Sequence, residues 1–306
     1  MAKTGASLRI SMRSRIGFNF YDVFVYALVI GFGLLCFYPM WYVLIGSLSE
    51  NKSFVGHALN LLPAWPPTFK YYQGILMSTM FQRALGISLG KTFGAAVVSV
   101  MLTATMAYAV SKEKVKGMKF LNFLVVFAMF FNGGLIPTYL LIRNLGMYDS
   151  IWALTIPWML GATNFVIMRN YFVYSVPQEL EESAAIDGAN SVVVFLRIIL
   201  PLSVPTLAAI FLFDAVAQWN DWYSYLIYAE SPKLQPVVWV LRRMLIDPSV
   251  AGNGGNAGQI LDRLGFLPPM ALRMTTIILS MLPIMVVYPF LQRYFVKGIM
   301  IGAIKG

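Results

Sequence analysis

Of 306 residues, 58% are hydrophobic and only 12% charged, and the mean hydropathy is +0.70. Water-soluble domains carry about 25% charged residues, so a soluble fold of this composition is excluded and the apolar surface must meet lipid. The net charge of +10 sits at the boundaries of the apolar runs, which points to lipid headgroups and away from nucleic acid.

Runs near the ~20 residues that a span needs predict six transmembrane helices, at 22–47, 84–110, 120–141, 151–170, 202–228 and 273–296. The expected architecture is an all-α integral membrane protein. A basic arm at 1–20 carries Lys3, Arg9, Arg13 and Arg15, a six-helix domain fills 21–297, and a short tail occupies 298–306. The first apolar run is too long for a signal peptide and no small-residue cleavage site follows Ser47, so it reads as an anchor span. After it, Leu61 to Thr68 forms a proline-rich turn, and Phe69 to Leu76 predicts a short interfacial helix with Tyr71 and Tyr72 at headgroup level.

The second span contains Gly86-Ile87-Ser88-Leu89-Gly90-Lys91-Thr92, which imitates a phosphate-binding loop. Only three residues separate its glycines where four are needed, and the run is apolar. Gly86, Gly90 and Gly94 fit small-residue helix packing instead. The third span carries Asn132-Gly133-Gly134-Leu135-Ile136-Pro137-Thr138, and the segment 229–272 after the fifth holds a flexible tip at 252–256. His57 and Cys36, the only residues of their kinds, make neither a zinc site nor an internal disulfide. They read as a solvated loop residue and an apolar filler.

Orientation follows from the basic residues in short segments. Thirteen fall on one side (the arm, Lys112, Lys114, Lys116, Lys119, Arg169, Arg197, Arg293, Lys297 and Lys305) against nine on the other. Both termini and the segment 171–201 are therefore expected in the cytoplasm.

That segment is the most informative in the chain. Glu179, Glu181 and Glu182 follow Pro177, as suits the start of a helix. Ala184 and Ala185 offer a small face for close approach, and Gly188 is placed to end the helix in a left-handed conformation. A second helical run, Val192 to Ile199, is expected to stop at Pro201.

The pattern Glu182-Ser183-Ala184, three residues, Gly188, nine residues, then Ile198-Ile199-Leu200-Pro201 resembles the cytoplasmic EAA loop of permease subunits in ATP-driven (ABC) importers. Ser183 stands where that family usually has alanine. Arg293 to Gly298 followed by Gly302 to Gly306 is similar to the tail of maltose-type permeases. Pro39, the Pro63–Thr68 turn and the Asn132–Thr138 signature resemble the YtcP/LplC-type branch, which serves importers of complex or acidic oligosaccharides. The resemblance implies a type I importer fold in a bacterial cytoplasmic membrane. Glu182, Ser183, Ala184, Gly188, Ile198, Leu200 and Pro201 would engage an ATPase, and Gly302, Lys305 and Gly306 would reach the same interface. The implied partners are a second homologous permease subunit, two ATPase subunits holding ATP and Mg, and an extracytoplasmic sugar-binding protein. The chain itself would carry no cofactor and no catalysis.

Polar residues inside the spans are the candidates for a solute pathway, because acids in hydrocarbon face a cavity or a partner. The fifth span supplies Asp214, Gln218, Trp219, Asn220 and Asp221, and the fourth supplies Asn164. Amides and carboxylates beside aromatic faces suit sugar hydroxyls, and the same residues suit helix packing equally well. Two other classes fit parts of the sequence. An ion-coupled secondary transporter would use Asp214, and an amino-acid or peptide permease would share the central loop.

Overall fold

A computed structural model describes residues 20–49, 62, 66–112, 115–246 and 269–303. The basic arm, His57, the 252–256 tip, Lys305 and Gly306 lie outside the described residues. In chain order the helices are α1 (Phe20–Ser47), α2 (Lys70–Leu76), α3 (Thr79–Ser111), α4 (Met118–Phe130), α5 (Leu135–Asn144), α6 (Ile151–Trp158) and α7 (Ala162–Tyr174). They continue with α8 (Gln178–Ile186), α9 (Ser191–Leu202), α10 (Val204–Asn220), α11 (Tyr223–Tyr228), α12 (Val237–Ile246) and α13 (Pro269–Ala303). Among the described residues there is no strand.

Among the described residues three helices are long and apolar enough to cross a membrane: α1, α3 and the 270–289 stretch of α13. The pairs α4–α5, α6–α7 and α9–α10 are each apolar enough together but bent, by 119°, 44° and 77°. Counting each pair as one span gives up to six. The third predicted span is thus a break and not a straight helix. Asn132 Oδ1 accepts the Gly134 N–H at 2.9 Å, Gly134 takes φ +90°, and Pro137 sits in the first turn of α5. The predicted fifth span, 202–228, is two helices, α10 and α11, with Asp221 extended between them. The last helix overruns its prediction at both ends.

The second span, α3, is the hub and packs against α7, α10, α4 and α12. Its buried stripe runs Phe81, Ala84, Ser88, Lys91, Ala95, Ser99, Thr103, Ala107 and Val110, one residue every three or four positions. Most of these side chains are small and several are polar. Large apolar side chains such as Leu89 and Phe93 face outward. That is the expected polarity where lipid is the solvent and helices approach through small residues. Gly86, Gly90 and Gly94 lie on this outward side with open space beside them, so they make no helix packing among the described residues. Cys36 is likewise exposed on α1.

The two ends of the bundle are built differently. At one, α8 and α9 pack on α3 and α7 through Ala107, Val110, Phe172, Ala184, Phe195 and Ile199. At the other, α2 and α12 pack on α3 and α13 through Ile75, Phe81, Val237, Val240 and Leu272. Here Tyr71 is buried and the Tyr72 hydroxyl meets that of Ser47 at 2.5 Å. These tyrosines join α2 to the bundle.

Candidate functional site

The segment 171–201 folds as a helix–turn–helix, and the backbone shows why. Pro177 precedes α8, whose first turn holds Glu179 and Glu181. Gly188 has φ +83°, the Gly188 N–H donates to Ala185 O at 3.1 Å, and the Ala189 N–H donates to Ala184 O at 2.9 Å. These two bonds are a Schellman closure, and the left-handed residue at its centre is the reason for glycine. Asn190 Oδ1 then accepts the Val193 N–H at 2.9 Å and starts α9.

Pro201 does not end α9. The helix widens to a π turn over Phe195–Ile199, where the Leu200 N–H donates to Phe195 O, and continues to Leu202. The wider turn accommodates a proline that would otherwise clash with the carbonyl four residues back. The chain turns instead at Ser203, whose N–H and hydroxyl both donate to Ile199 O, at 3.0 and 2.7 Å.

The side chains of the hairpin divide between core and surface. Ala184 is buried against the bundle, Ile199 is fully buried, and Ile198 and Leu200 are half-buried against the same core. Ala184 therefore holds the hairpin in place, whereas the small face open to another molecule is formed by Ser183 and Ala185. Glu182, Ser183, Gly188 and Pro201 are exposed, and Ile186 at the tip is 86% exposed. Of the tail residues, Gly302 lies within α13, which stays helical to Ala303 and so extends the last helix beyond the expected flexible start of the tail.

The intramembrane polar residues form two clusters, both spanning α3 and α10. In the first, the Ser99 hydroxyl donates to Asp214 Oδ2 at 2.6 Å and the Asn164 amide donates to Asp214 Oδ1 at 2.7 Å. Both oxygens of Asp214 are thus engaged by other helices, α3 and α7. In the second, Lys91 Nζ pairs with Asp221 Oδ2 at 2.6 Å and reaches the Asp221 carbonyl at 3.5 Å. Asp221 Oδ1 accepts the Ser224 N–H at 3.0 Å and so sets the start of α11. The Lys91 side chain is only 1% exposed. These pairings fix an antiparallel register that puts Gln218 level with Gly94 and Ala95. Gln218 is buried, and its Oε1 has no hydrogen-bond partner among the described residues. Trp219 donates to Ser280 O at 3.0 Å on α13, and the Asn220 amide returns to Val216 O at 2.9 Å on its own helix.

Lys91 was missing from the sequence-derived candidates. The signal was present: it is the single basic residue, of 23, that falls within a predicted span and outside both boundary counts. At the same end of the bundle, Asp149 (φ +54°) accepts the N–H groups of Glu230 and Ser231 at 2.9 and 2.8 Å. The Tyr148 hydroxyl donates to Glu230 at 2.7 Å, which with burial and nearby negative charge pushes the phenol up to about 12. The Arg242 guanidinium stacks on the Trp222 ring at 3.7 Å.

A helical bundle with long apolar helices, bent helix pairs and polar clusters between its helices is the architecture of a multi-pass membrane protein. Residues 84–301 match the family of binding-protein-dependent transport system inner membrane components, and the chain belongs to that family. Over 277 residues it is 37% identical to Protein LplC of Bacillus subtilis, covering 90% of this chain and 92% of that protein. Over 289 residues it is 36% identical to the polygalacturonan/rhamnogalacturonan transport system permease protein YtcP of the same organism, covering 94% and 98%. Its fold matches a chain in the crystal structure of a bacterial ABC transporter involved in the import of the acidic polysaccharide alginate. The TM-score is 0.82 at 29% identity, over 90% of this chain and 96% of that one.

Proposed function

We propose that this chain is a permease subunit of an ATP-driven importer of acidic oligosaccharides, forming half of the pathway beside a second, homologous permease. Two ATPase subunits, which bind the ATP and Mg, grip the α8–α9 hairpins from the cytoplasm, and an extracytoplasmic sugar-binding protein delivers the solute. Both termini are cytoplasmic in this reading. The observation that carries it is the hairpin itself. It is closed by Gly188, anchored by Ala184 and Ile199, and ends in a bare isoleucine, a knob built for a cleft in another protein.

The cargo class is supported by the near full-length likeness to YtcP and by the alginate importer's fold. It also agrees with Arg242, since a guanidinium stacked on an indole keeps its in-plane N–H donors free for a carboxylate. Within the pathway we place Gln218, which has a buried acceptor to offer, with Asp214 and Asn164 as the clasp holding three helices around it.

The test is reconstitution with the partner permease, the ATPase and the binding protein. ATP-dependent uptake of oligogalacturonides should exceed that of neutral oligosaccharides of equal length. Gly188→Val forces a β-branched residue into the left-handed region, at about 1–2 kcal/mol, and should lose ATPase co-purification. Gly188→Asn, which tolerates that region, should keep it. Uptake driven by an ion gradient with no ATPase present would instead favour a secondary transporter.

A further inference from the structure

We infer that Tyr108 and Lys112, the last turn of α3, are positioning residues that carry movement of the α8–α9 hairpin into the second span. The inference rests on the reading of that hairpin as the ATPase contact.

The covalent exits from the hairpin are jointed. Residues 175–177 separate α7 from α8, and the chain bends by 77° between α9 and α10 at Ser203. A push on the hairpin is therefore absorbed in part at both junctions before it reaches α7 or α10.

The non-covalent exit runs through side chains gathered on one helical turn. Lys112 Nζ donates to Glu181 Oε2 on α8 and lies over the Tyr108 ring at 4.7 Å. That ring packs against Phe195 of α9 at 4.9 Å and against Phe172 of α7 at 5.8 Å. One turn of α3 thus holds both hairpin helices, α8 by charge and α9 by an aromatic face. The ion pair is partly shielded, with the side chains 34% and 22% exposed, so water screens it less than a surface pair. Around it Ala107, Val110, Val194 and Phe195 close the same core.

From that turn α3 runs unbroken for 33 residues, about 50 Å at 1.5 Å per residue. The same helix carries Ser99, which holds Asp214, and Lys91, which holds Asp221. Movement delivered at Lys112 is thereby presented to α10 at two heights, above its joint at Ser203. The positive charge at 112 was legible as one of the four lysines between 112 and 119, but the carboxylate facing it was not, because 69 residues separate the two.

The experiment uses the complete transporter, with Lys112→Met, Glu181→Gln, their double variant and the conservative Lys112→Arg. Three quantities are read: ATPase co-purification, ATP hydrolysis stimulated by the binding protein, and solute taken up per ATP. Each single variant should keep co-purification and hydrolysis while uptake per ATP falls at least about fivefold, the low end of coupling between linked sites. The double variant should be no worse than either single one, and Lys112→Arg should stay close to wild type. Unchanged uptake per ATP in both single variants would overturn the inference, as would losses that add in the double variant. Loss of ATPase co-purification in the single variants would overturn it too, by making these residues part of the docking surface. A wild-type complex that binds no ATPase would instead refute the functional reading beneath it.

Discussion

The Lys91–Asp221 pair predicts an asymmetry between its two members. Asp221→Ala leaves the ammonium with only the backbone carbonyl at 3.5 Å, and the 1% exposure of the side chain keeps water from replacing the carboxylate. Breaking a buried pair by removing one partner costs about 3–5 kcal/mol. The same change strips the Ser224 N–H of its acceptor, and Ser224 is itself buried, which adds about 1–3 kcal/mol. Lys91→Met removes the ammonium and nothing else. Asp221 is 20% exposed, keeps its bond to Ser224 and can be solvated, so the cost falls to about 1–3 kcal/mol, that of a charged group losing one partner. The double variant leaves no stranded charge and should be more stable than Asp221→Ala alone. Denaturant unfolding in mixed micelles, followed by tryptophan fluorescence, ranks the four proteins. If Lys91→Met proves as damaging as Asp221→Ala, or if the two losses simply add, the pair is not desolvated as the geometry requires.

Asp214→Asn keeps the shape of the side chain and an acceptor for Asn164, and the Ser99 hydroxyl can turn to accept from the new amide. Stability in the same assay should stay within about 1 kcal/mol of wild type, the worth of one ordinary hydrogen bond, whereas Asp214→Leu strands two donors at about 1–3 kcal/mol each. Equal losses would remove Asp214 from the clasp. The tie from Tyr148 to Glu230 depends on the phenol proton, and its folded pKa, about 12, lies above the ordinary 10.0. A raised value means that the contribution is complete below pH 10 and is lost as pH climbs toward 12. Tyrosinate absorbance, compared between wild type and Tyr148→Phe, should show one phenol titrating in that window, and a Tyr148 that ionises at the ordinary value would contradict the bond.

What the sequence made legible is what local chemistry controls. The apolar runs fall on the long helices and the bent pairs, and Pro177 and Gly188 marked the start and end of the first hairpin helix, because capping involves residues at most a few positions apart; the Asn190 cap that restarts the chain went unread. Three readings fell short where a tertiary partner decides. Ala184 points into the bundle because the C-terminal ends of α3 and α7 lie beneath it, and no local pattern tells it from Ala185. Pro201 was expected to stop a helix, but a π turn upstream accommodates it, and the bend falls two residues later where Ser203 bonds back to Ile199. Tyr71 and Tyr72 look interfacial by type, yet α2 folds onto the bundle and buries the first of them.

Lys91 shows why the site was harder to see than the fold. Read alone, a lysine in an apolar run is an anomaly, and near a glycine pair it mimics a nucleotide loop. Its role appears only when Asp221, 130 residues away, is placed opposite, and that placement depends on the small stripe of α3 letting α10 come close. The same stripe sets Ser99 against Asp214 and Ser88 against the Val237 N–H, at 2.8 Å. Each of these polar groups has an alanine on one side along the stripe, Ala84 beside Ser88 and Ala95 between Lys91 and Ser99, and that small neighbour lets the partner helix approach. A bulkier residue at Ala95, which is buried between Lys91 and Ser99 on the stripe, would push the two helices apart and break both the Lys91–Asp221 and the Ser99–Asp214 ties at once. The alanines, which carry no chemistry, therefore decide whether the residues that do carry it can meet.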